Sequence, residues 1–185
     1  RGAAMKLGQM ISLDAGDLLP AELTAIMARL RDSAHYMPPS QLNQVLMAEW
    51  GQDWRKRFAR FEATPIAAAS IGQVHRAQLH DGRLIAIKVQ YPGVAASIDA
   101  DVDNVATLLR LSGLLPETLD IAPLLDEAKR QLRAEADYIR AAEQMRRYGA
   151  LLADNPAFIV PTPIAEFSSA RILAMDFIAG SPLER

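Results

Sequence analysis

The run Leu84-Ile85-Ala86-Ile87-Lys88-Val89 limits the possible folds most sharply, because it is a short apolar segment broken by a single charge. Its length and its β-branched residues suit a strand rather than a helix. Just before it, Ser70 to Leu79 alternates loosely between apolar and polar residues, and His80-Asp81-Gly82-Arg83 carries turn chemistry. Residues 65–94 therefore predict a β-hairpin preceded by a loop of small residues, Ala67-Ala68-Ala69-Ser70. Lys88 has to carry its ammonium to water or meet an anion, since an unpaired buried charge is strongly destabilising.

Two readings of Lys88 stay open on these residues alone. It is an edge-strand lysine that blocks sheet-to-sheet association, or it is a phosphate-binding lysine. In the protein-kinase pattern V-A-I-K, a strand lysine meets the α- and β-phosphates of ATP. The letters here are Ile85-Ala86-Ile87-Lys88, on a strand that follows a small-residue loop. Ordinary kinases carry glycines in that loop. Alanine keeps it small but narrows its conformations, so fewer phosphate-cradling geometries remain.

The combination of AAASIGQVHRA (67–77) with IKVQYPGV (87–94) closely resembles the UbiB (AarF) family of atypical kinase-like ATPases. Lys6-Leu7-Gly8-Gln9 matches the family's KxGQ motif and Glu135-Ala136-Asp137 its ExD motif. Ile172-Leu173-Ala174-Met175-Asp176-Phe177 resembles the strand that leads into the hinge between kinase lobes. Four motifs in order, over nearly the whole chain, make the resemblance specific.

The resemblance implies an α+β fold: a protein-kinase-like small lobe, an antiparallel sheet plus a long helix, with a helical KxGQ extension and no large lobe. Residues 1–57 would be the extension and 58–185 the small lobe ending at the hinge. Lys88, Glu135 and Asp137 would be the catalytic set. Ala67, Ala68, Ala69, Ser70 and Lys88 would cradle phosphate. Met175 would guard the back of the adenine pocket, with backbone groups of Asp176 and Ile178 bonding the base. Lys6, Gly8 and Gln9 would be regulatory, their helix lying over the cleft and gating it. Glu135 would pair with a lysine across the fold, first of all Lys6. The implied cofactor is ATP or ADP, with Mg²⁺ only alongside a large lobe. The implied partners are the nucleotide, and membrane lipid or isoprenoid-quinone precursors with their biosynthetic enzymes. The implied role is support of ubiquinone biosynthesis, cytoplasmic and peripheral to or anchored at a bacterial inner membrane, or at the mitochondrial inner membrane in a eukaryote.

One position departs from the pattern. The glutamate that pairs with the strand lysine is expected six residues after Glu135, where this chain has Ala141. Either Lys88 borrows another carboxylate, with Glu135 the first candidate, or the nucleotide is held less well. A nucleotide- or lipid-associated pseudokinase scaffold is the alternative that Ala141 and the alanine loop favour.

Other features bound the reading. Net charge is −2 with both signs interspersed, so no basic field argues for nucleic acid. The chain has no cysteine, which excludes a disulfide scaffold and cysteine-based zinc chemistry. No apolar run approaches the ~20 residues that span a bilayer. It opens at Arg1 inside a motif, which reads as a piece of a longer protein, and no catalytic-loop Asp/Asn set or DFG-type aspartate occurs in it.

Helices are expected at several places. Ala3, Ala4, Leu7, Met10 and Ile11 form one apolar face, and a second helix runs from Pro20 to about Arg31. Ser40 is the expected N-cap of a third helix, Gln41 to Trp50, closed by Gly51. Val94 to Leu115 is a fourth, whose apolar residues include Val102, Val105, Leu108, Leu109 and Leu111. Asp99, Asp101 and Asp103 on it lack the glycine and distal glutamate of a calcium loop and read as surface charges. A single long helix from about Ile121 to Ala153 would carry Leu124, Ala128, Leu132, Glu135, Ile139 and Ala142 along one stripe. Asp137 would then face elsewhere, about 200° round from Glu135. Strands are expected at Phe58–Glu62 and near Ile164–Phe167. His75 reads as a hydrogen-bonded packing residue, with no metal-ligand spacing around it.

Overall fold

The computed structural model describes residues 36–111 and 121–180. They form two compact units. One comprises Met37–Ala68, Gly72–Gln90 and residues 137–180; the other comprises residues 69–71 and the described part of 91–136.

The first unit is built on an antiparallel sheet. Its strands are β1 (Arg60–Phe61), β2 (Ala67–Ala68), β3 (Gly72–Gln78), β4 (Leu84–Gln90) and β5 (Ile172–Asp176). The order is β1-β3-β4-β5, with β2 also on β3. β1 and β2 share one edge of β3: Phe61 faces Ala77 near its far end, and Ala67 faces Val74 nearer its start. Half of the expected alanine loop is thus strand. The hairpin turn forms as its residues predict. Gly82 adopts φ 89°, Leu79 N–H donates to the Arg83 carbonyl at 2.9 Å, and the Asp81 carboxylate accepts from the Arg83 amide at 3.0 Å.

Alternation along β4 separates the two faces of the sheet. Ile85, Ile87 and Val89 are fully buried, while Ala86 and Lys88 are half-buried on the opposite side. The covered face meets an aromatic cluster. His75, opposite Ile87 in the register, stacks on Phe61 at 5.4 Å. Phe61 touches Trp54 at 4.9 Å, and Phe58 joins Phe167 at 5.1 Å and Trp50 at 5.4 Å. These rings hang on a helix α1 (Pro39–Trp50), the 3₁₀ turn Trp54–Arg57, and a second 3₁₀ turn at Ala165–Phe167. That second turn stands where a strand was expected; residues 162–164 instead lie along the outer edge of β5 through a Pro163–Met175 bridge. Ser40 is not the N-cap of α1. Pro38 holds the cap position and Pro39 the first turn, where a missing N–H costs nothing. Gly51 closes the helix at φ 84°, as expected.

The second unit pairs α2 (Val94–Leu111) with α3 (Ala122–Ala136). Asp99 meets Arg133 at 2.5 Å and Asp103 meets Lys129 at 2.6 Å. A step of four up one helix matches four down the other, so the two run antiparallel. Ile98, Val102, Ala106, Ala128 and Leu132 fill the seam. Leu108 and Leu111 are exposed, because the seam follows the four-residue step from Ile98. The aspartates on α2 are surface charges as read: Asp101 takes the Ser97 hydroxyl at 2.9 Å, and Asp99 and Asp103 take the two cations.

The long helix expected from Ile121 to Ala153 is two helices, α3 and α4 (Tyr138–Leu151), broken at Asp137. Asp137 has φ −86° and ψ 86°, outside helical space, and its carboxylate accepts the Arg140 N–H at 2.9 Å. It is the N-cap of α4. The break resets the phase of the apolar stripe: Tyr138 and Ala142 are buried, and Ile139 is exposed.

Candidate functional site

Register determines which side chains share the half-open face with Lys88. Lys88 stands opposite Val74 on β3 and Leu173 on β5, and Ala86 stands opposite Arg76 and Met175. Ala67 faces Val74 on the other edge. Val74, Ala86, Leu173 and Met175 thus form an apolar floor beside one ammonium, while Ala68, paired with Gln73, lies on the opposite face. A flat apolar floor ending in a fixed cation suits a flat heterocycle that carries phosphate.

Further side chains surround the floor. The Lys88 ammonium lies 5.1 Å from the ring centroid of Tyr138, within cation–π range. Tyr138 is buried at the start of α4. Arg76, one row along, is taken up by the Glu62 carboxylate at 2.8 Å, and its hydrogen bond holds the Glu62 carboxyl below the usual range. The end of β5 is held by Thr162. The Asp176 N–H donates to the Thr162 carbonyl at 3.1 Å, and the Asp176 carboxylate accepts the Thr162 N–H at 3.1 Å. The Asp176 N–H is therefore committed within the fold. Ile178, just beyond, is exposed.

In the second unit, the Ser70 hydroxyl donates to the Glu135 carboxylate. Two of the residues singled out in the sequence thus meet there. The Asp137 carboxylate caps α4 through the Arg140 N–H. Lys6, Gly8 and Gln9, and any pairing of Lys6 with Glu135, lie outside the described residues. Ala141 is half-buried on α4 and Glu143 exposed.

Behind the sheet, His75 is fully buried between two partners. Its Nδ1 is 2.9 Å from the Glu62 carbonyl and its Nε2 is 2.9 Å from the Gln73 amide nitrogen. Gln73 Oε1 accepts the Met37 N–H at 2.7 Å. This is the packing role expected for His75, and burial pushes its pKa down.

Sequence reasoning missed Tyr138 and Gln73. An aspartate as N-cap was the available signal for the first, since it would have restarted the helical count at residue 138. Nothing local marks the second: one partner, Met37, is 36 residues away, and the other, His75, is two residues along the same strand.

Sheet, register and strand lysine together define a kinase-like small lobe of α+β class. Residues 29–185 match the ABC1 atypical kinase-like domain, and the chain belongs to that family. The chain is 43% identical over 184 residues to the mitochondrial atypical kinase coq-8 of Caenorhabditis elegans, covering 100% of this chain and 24% of that protein. It is 41% identical over 183 residues to the mitochondrial atypical kinase COQ8 of Saccharomyces cerevisiae, covering 99% of this chain and 36% of that one. A solved structure of Rv3197 from Mycobacterium tuberculosis, in complex with erythromycin, superposes with a TM-score of 0.62 at 33% identity. That match covers 95% of this chain and 44% of the other. The chain thus spans about a quarter to a little over a third of these two curated relatives.

Proposed function

We propose that the chain is the nucleotide-binding part of an atypical kinase or ATPase of the UbiB type, acting in support of ubiquinone biosynthesis at a membrane. The observation that carries this reading is the row Val74–Lys88–Leu173 beside Ala86–Met175, a half-open apolar floor ending in an ammonium. In this reading Met175 closes the back of the base pocket. The Asp176 carbonyl and the Ile178 backbone bond the base, and Lys88 meets the phosphates of ATP or ADP. The alanine segment Ala67–Ser70 faces the phosphates, Glu135 and Asp137 complete the catalytic set, and Lys6, Gly8 and Gln9 regulate access. The division into a 1–57 extension and a 58–185 small lobe belongs to the same proposal.

The donors present fit a nucleotide but not its metal. Among the described residues no group of three or more His, Cys, Asp or Glu could hold a metal ion. Mg²⁺ would neutralise phosphate charge when bound, and its ligands fall to sequence outside these residues. What this chain supplies is binding and orientation: the floor excludes water from one face of the base, and the ammonium fixes the phosphate end. Membrane lipid, quinone precursors and biosynthetic enzymes are the partners in this reading. The two curated relatives named above are mitochondrial by name; placement at an inner membrane belongs to the proposal.

Ala141 favours a second reading, a nucleotide-binding scaffold without turnover. The intact protein and its Lys88→Ala variant separate the two when ADP affinity and ATP hydrolysis are both measured. We expect Lys88→Ala to weaken ADP binding at least tenfold, since a charge-assisted contact is lost, and to abolish hydrolysis. Tight ADP binding with no hydrolysis by the native protein would favour the scaffold. Equal ADP binding by both forms would overturn the site itself.

A further inference from the structure

A second cavity lies away from the Lys88 face, between α4 and the segment that follows it. We infer that it is a binding site for an apolar monocarboxylate, with the Arg146 guanidinium as the carboxylate's partner. The nucleotide reading is not needed for it.

The cavity has a volume of about 470 Å³, and its walls all fall within residues 145–163. The local sequence builds it. α4 ends at Leu151, and the Leu152 N–H closes on the Tyr148 carbonyl at 3.0 Å. Asn155 then reverses the chain. Its N–H donates to the Leu152 carbonyl at 3.0 Å, its side-chain oxygen accepts the Ala157 N–H at 3.1 Å, and its carbonyl accepts the Phe158 N–H at 3.2 Å. Asn155, Val160 and Thr162 each precede a proline, which disfavours helical backbone, so the chain returns beside α4 without forming a second helix. Gly149 lets the returning segment come close: a Cβ there would stand 3.9 Å from Val160 Cγ1, in ordinary contact.

Setting Gly149 beside Val160 sorts the walls into two poles. Arg146 lies nearly one turn before Gly149 and Thr162 two residues after Val160, so both fall toward one end. Leu152 and Phe158 fall toward the other. The polar pole is open to a ligand. Among the described residues the Arg146 guanidinium makes no hydrogen bond or ion pair. The Thr162 N–H and carbonyl are both bonded to Asp176, whose carboxylate is thereby held, while the Thr162 hydroxyl has no partner. A guanidinium fork beside one hydroxyl matches a carboxylate bound through both oxygens. One cation answers one negative charge, so the several charges of a nucleotide are not balanced here. At the apolar pole Phe158 and Ile159 are 56% and 75% exposed. Large apolar side chains left open round a cavity of this size, with few polar groups at one end, are what a small amphipathic ligand needs.

Titration of the intact protein with naphthalene-2-carboxylate, followed by saturation-transfer NMR with and without ADP, tests the site. Naphthalene-2-carboxamide is the uncharged counterpart. The carboxylate should bind about three- to tenfold more tightly than the carboxamide. Arg146→Gln should remove that preference and leave carboxamide affinity within about twofold, which a loss of fold would not do. Phe158→Ala should weaken both ligands about three- to tenfold, and Ile159→Ser serves as the second wall variant if Phe158→Ala does not fold. Equal affinity of the native protein for the two ligands, or a carboxylate preference that survives Arg146→Gln, overturns the inference. So does an absence of binding at millimolar probe, since a cavity covered in the intact protein is no ligand site. Displacement of the probe by ADP would place it in the nucleotide cleft and overturn the inference as well. Failure of ADP itself to bind sinks the nucleotide reading and leaves the Arg146 comparison to judge this site.

Discussion

The buried His75 makes the stability of the sheet depend on pH in a direction that its partners dictate. The Glu62 carbonyl can only accept, so His75 Nδ1 must carry the hydrogen, and Nε2 then accepts from the Gln73 amide. Rotating that amide to accept from a protonated ring would turn its NH₂ toward the Met37 N–H, a donor against a donor. Protonation therefore breaks a network that burial already disfavours charging, and the native pKa lies below the usual histidine value. In the unfolded chain His75 titrates near 6.5. Above that pH neither state binds the proton and the contribution is whole. As pH falls below 6.5 the unfolded state takes up a proton that the folded state refuses, and stability drops by up to about 1.4 kcal/mol per pH unit until the folded pKa is reached. Between pH 7 and 5 the loss is at most about 2 kcal/mol. Urea unfolding of the chain at both pH values, followed by the fluorescence of Trp50 and Trp54, reads it. With a slope of about 2 kcal/mol/M, the midpoint should fall by up to about 1 M. His75→Gln removes the titrating group while His35 and His80 remain, so the difference between the two chains isolates it. Identical pH dependence in both would refute the reasoning.

Two further substitutions probe the elements around Lys88. Gly72→Ala places a Cβ against the Val89 carbonyl, which belongs to a paired strand and cannot yield, and against the Tyr138 oxygen. We expect a loss of about 1–3 kcal/mol or more, seen as a lowered urea midpoint with m unchanged. Asp137→Ala removes the cap of α4 and should lose about 1 kcal/mol, whereas Asp137→Asn, which keeps the acceptor, should lose far less. If Asn and Ala destabilise equally, the carboxylate acts through its charge rather than as a cap.

The elements legible in the sequence were those in which one local rule operates alone. The hairpin at Leu79–Arg83 follows from Asp81 and Gly82, and the strand β4 follows from the short β-branched run around Lys88. The packing role of His75 was legible as well, though its bond to the Glu62 carbonyl was not, since that depends on which segments come together. Continuity was misread where two rules compete. Every residue from Ala122 to Leu151 tolerates a helix, and the four-residue steps of Leu124, Ala128 and Leu132 carry on without a break to Glu135 and Ile139. An aspartate tolerates the helix interior but gains more at an N-cap, where its carboxylate satisfies an otherwise orphaned N–H. Once Asp137 takes that role, the count restarts: Tyr138 turns inward, Ile139 turns out, and the helix side that meets the strand lysine begins with a ring. The same letter that marks the ExD motif in the sequence thus acts in the fold through its neighbour. A reading that gives Asp137 a direct part in the chemistry has to account for a carboxylate already bonded to the Arg140 amide.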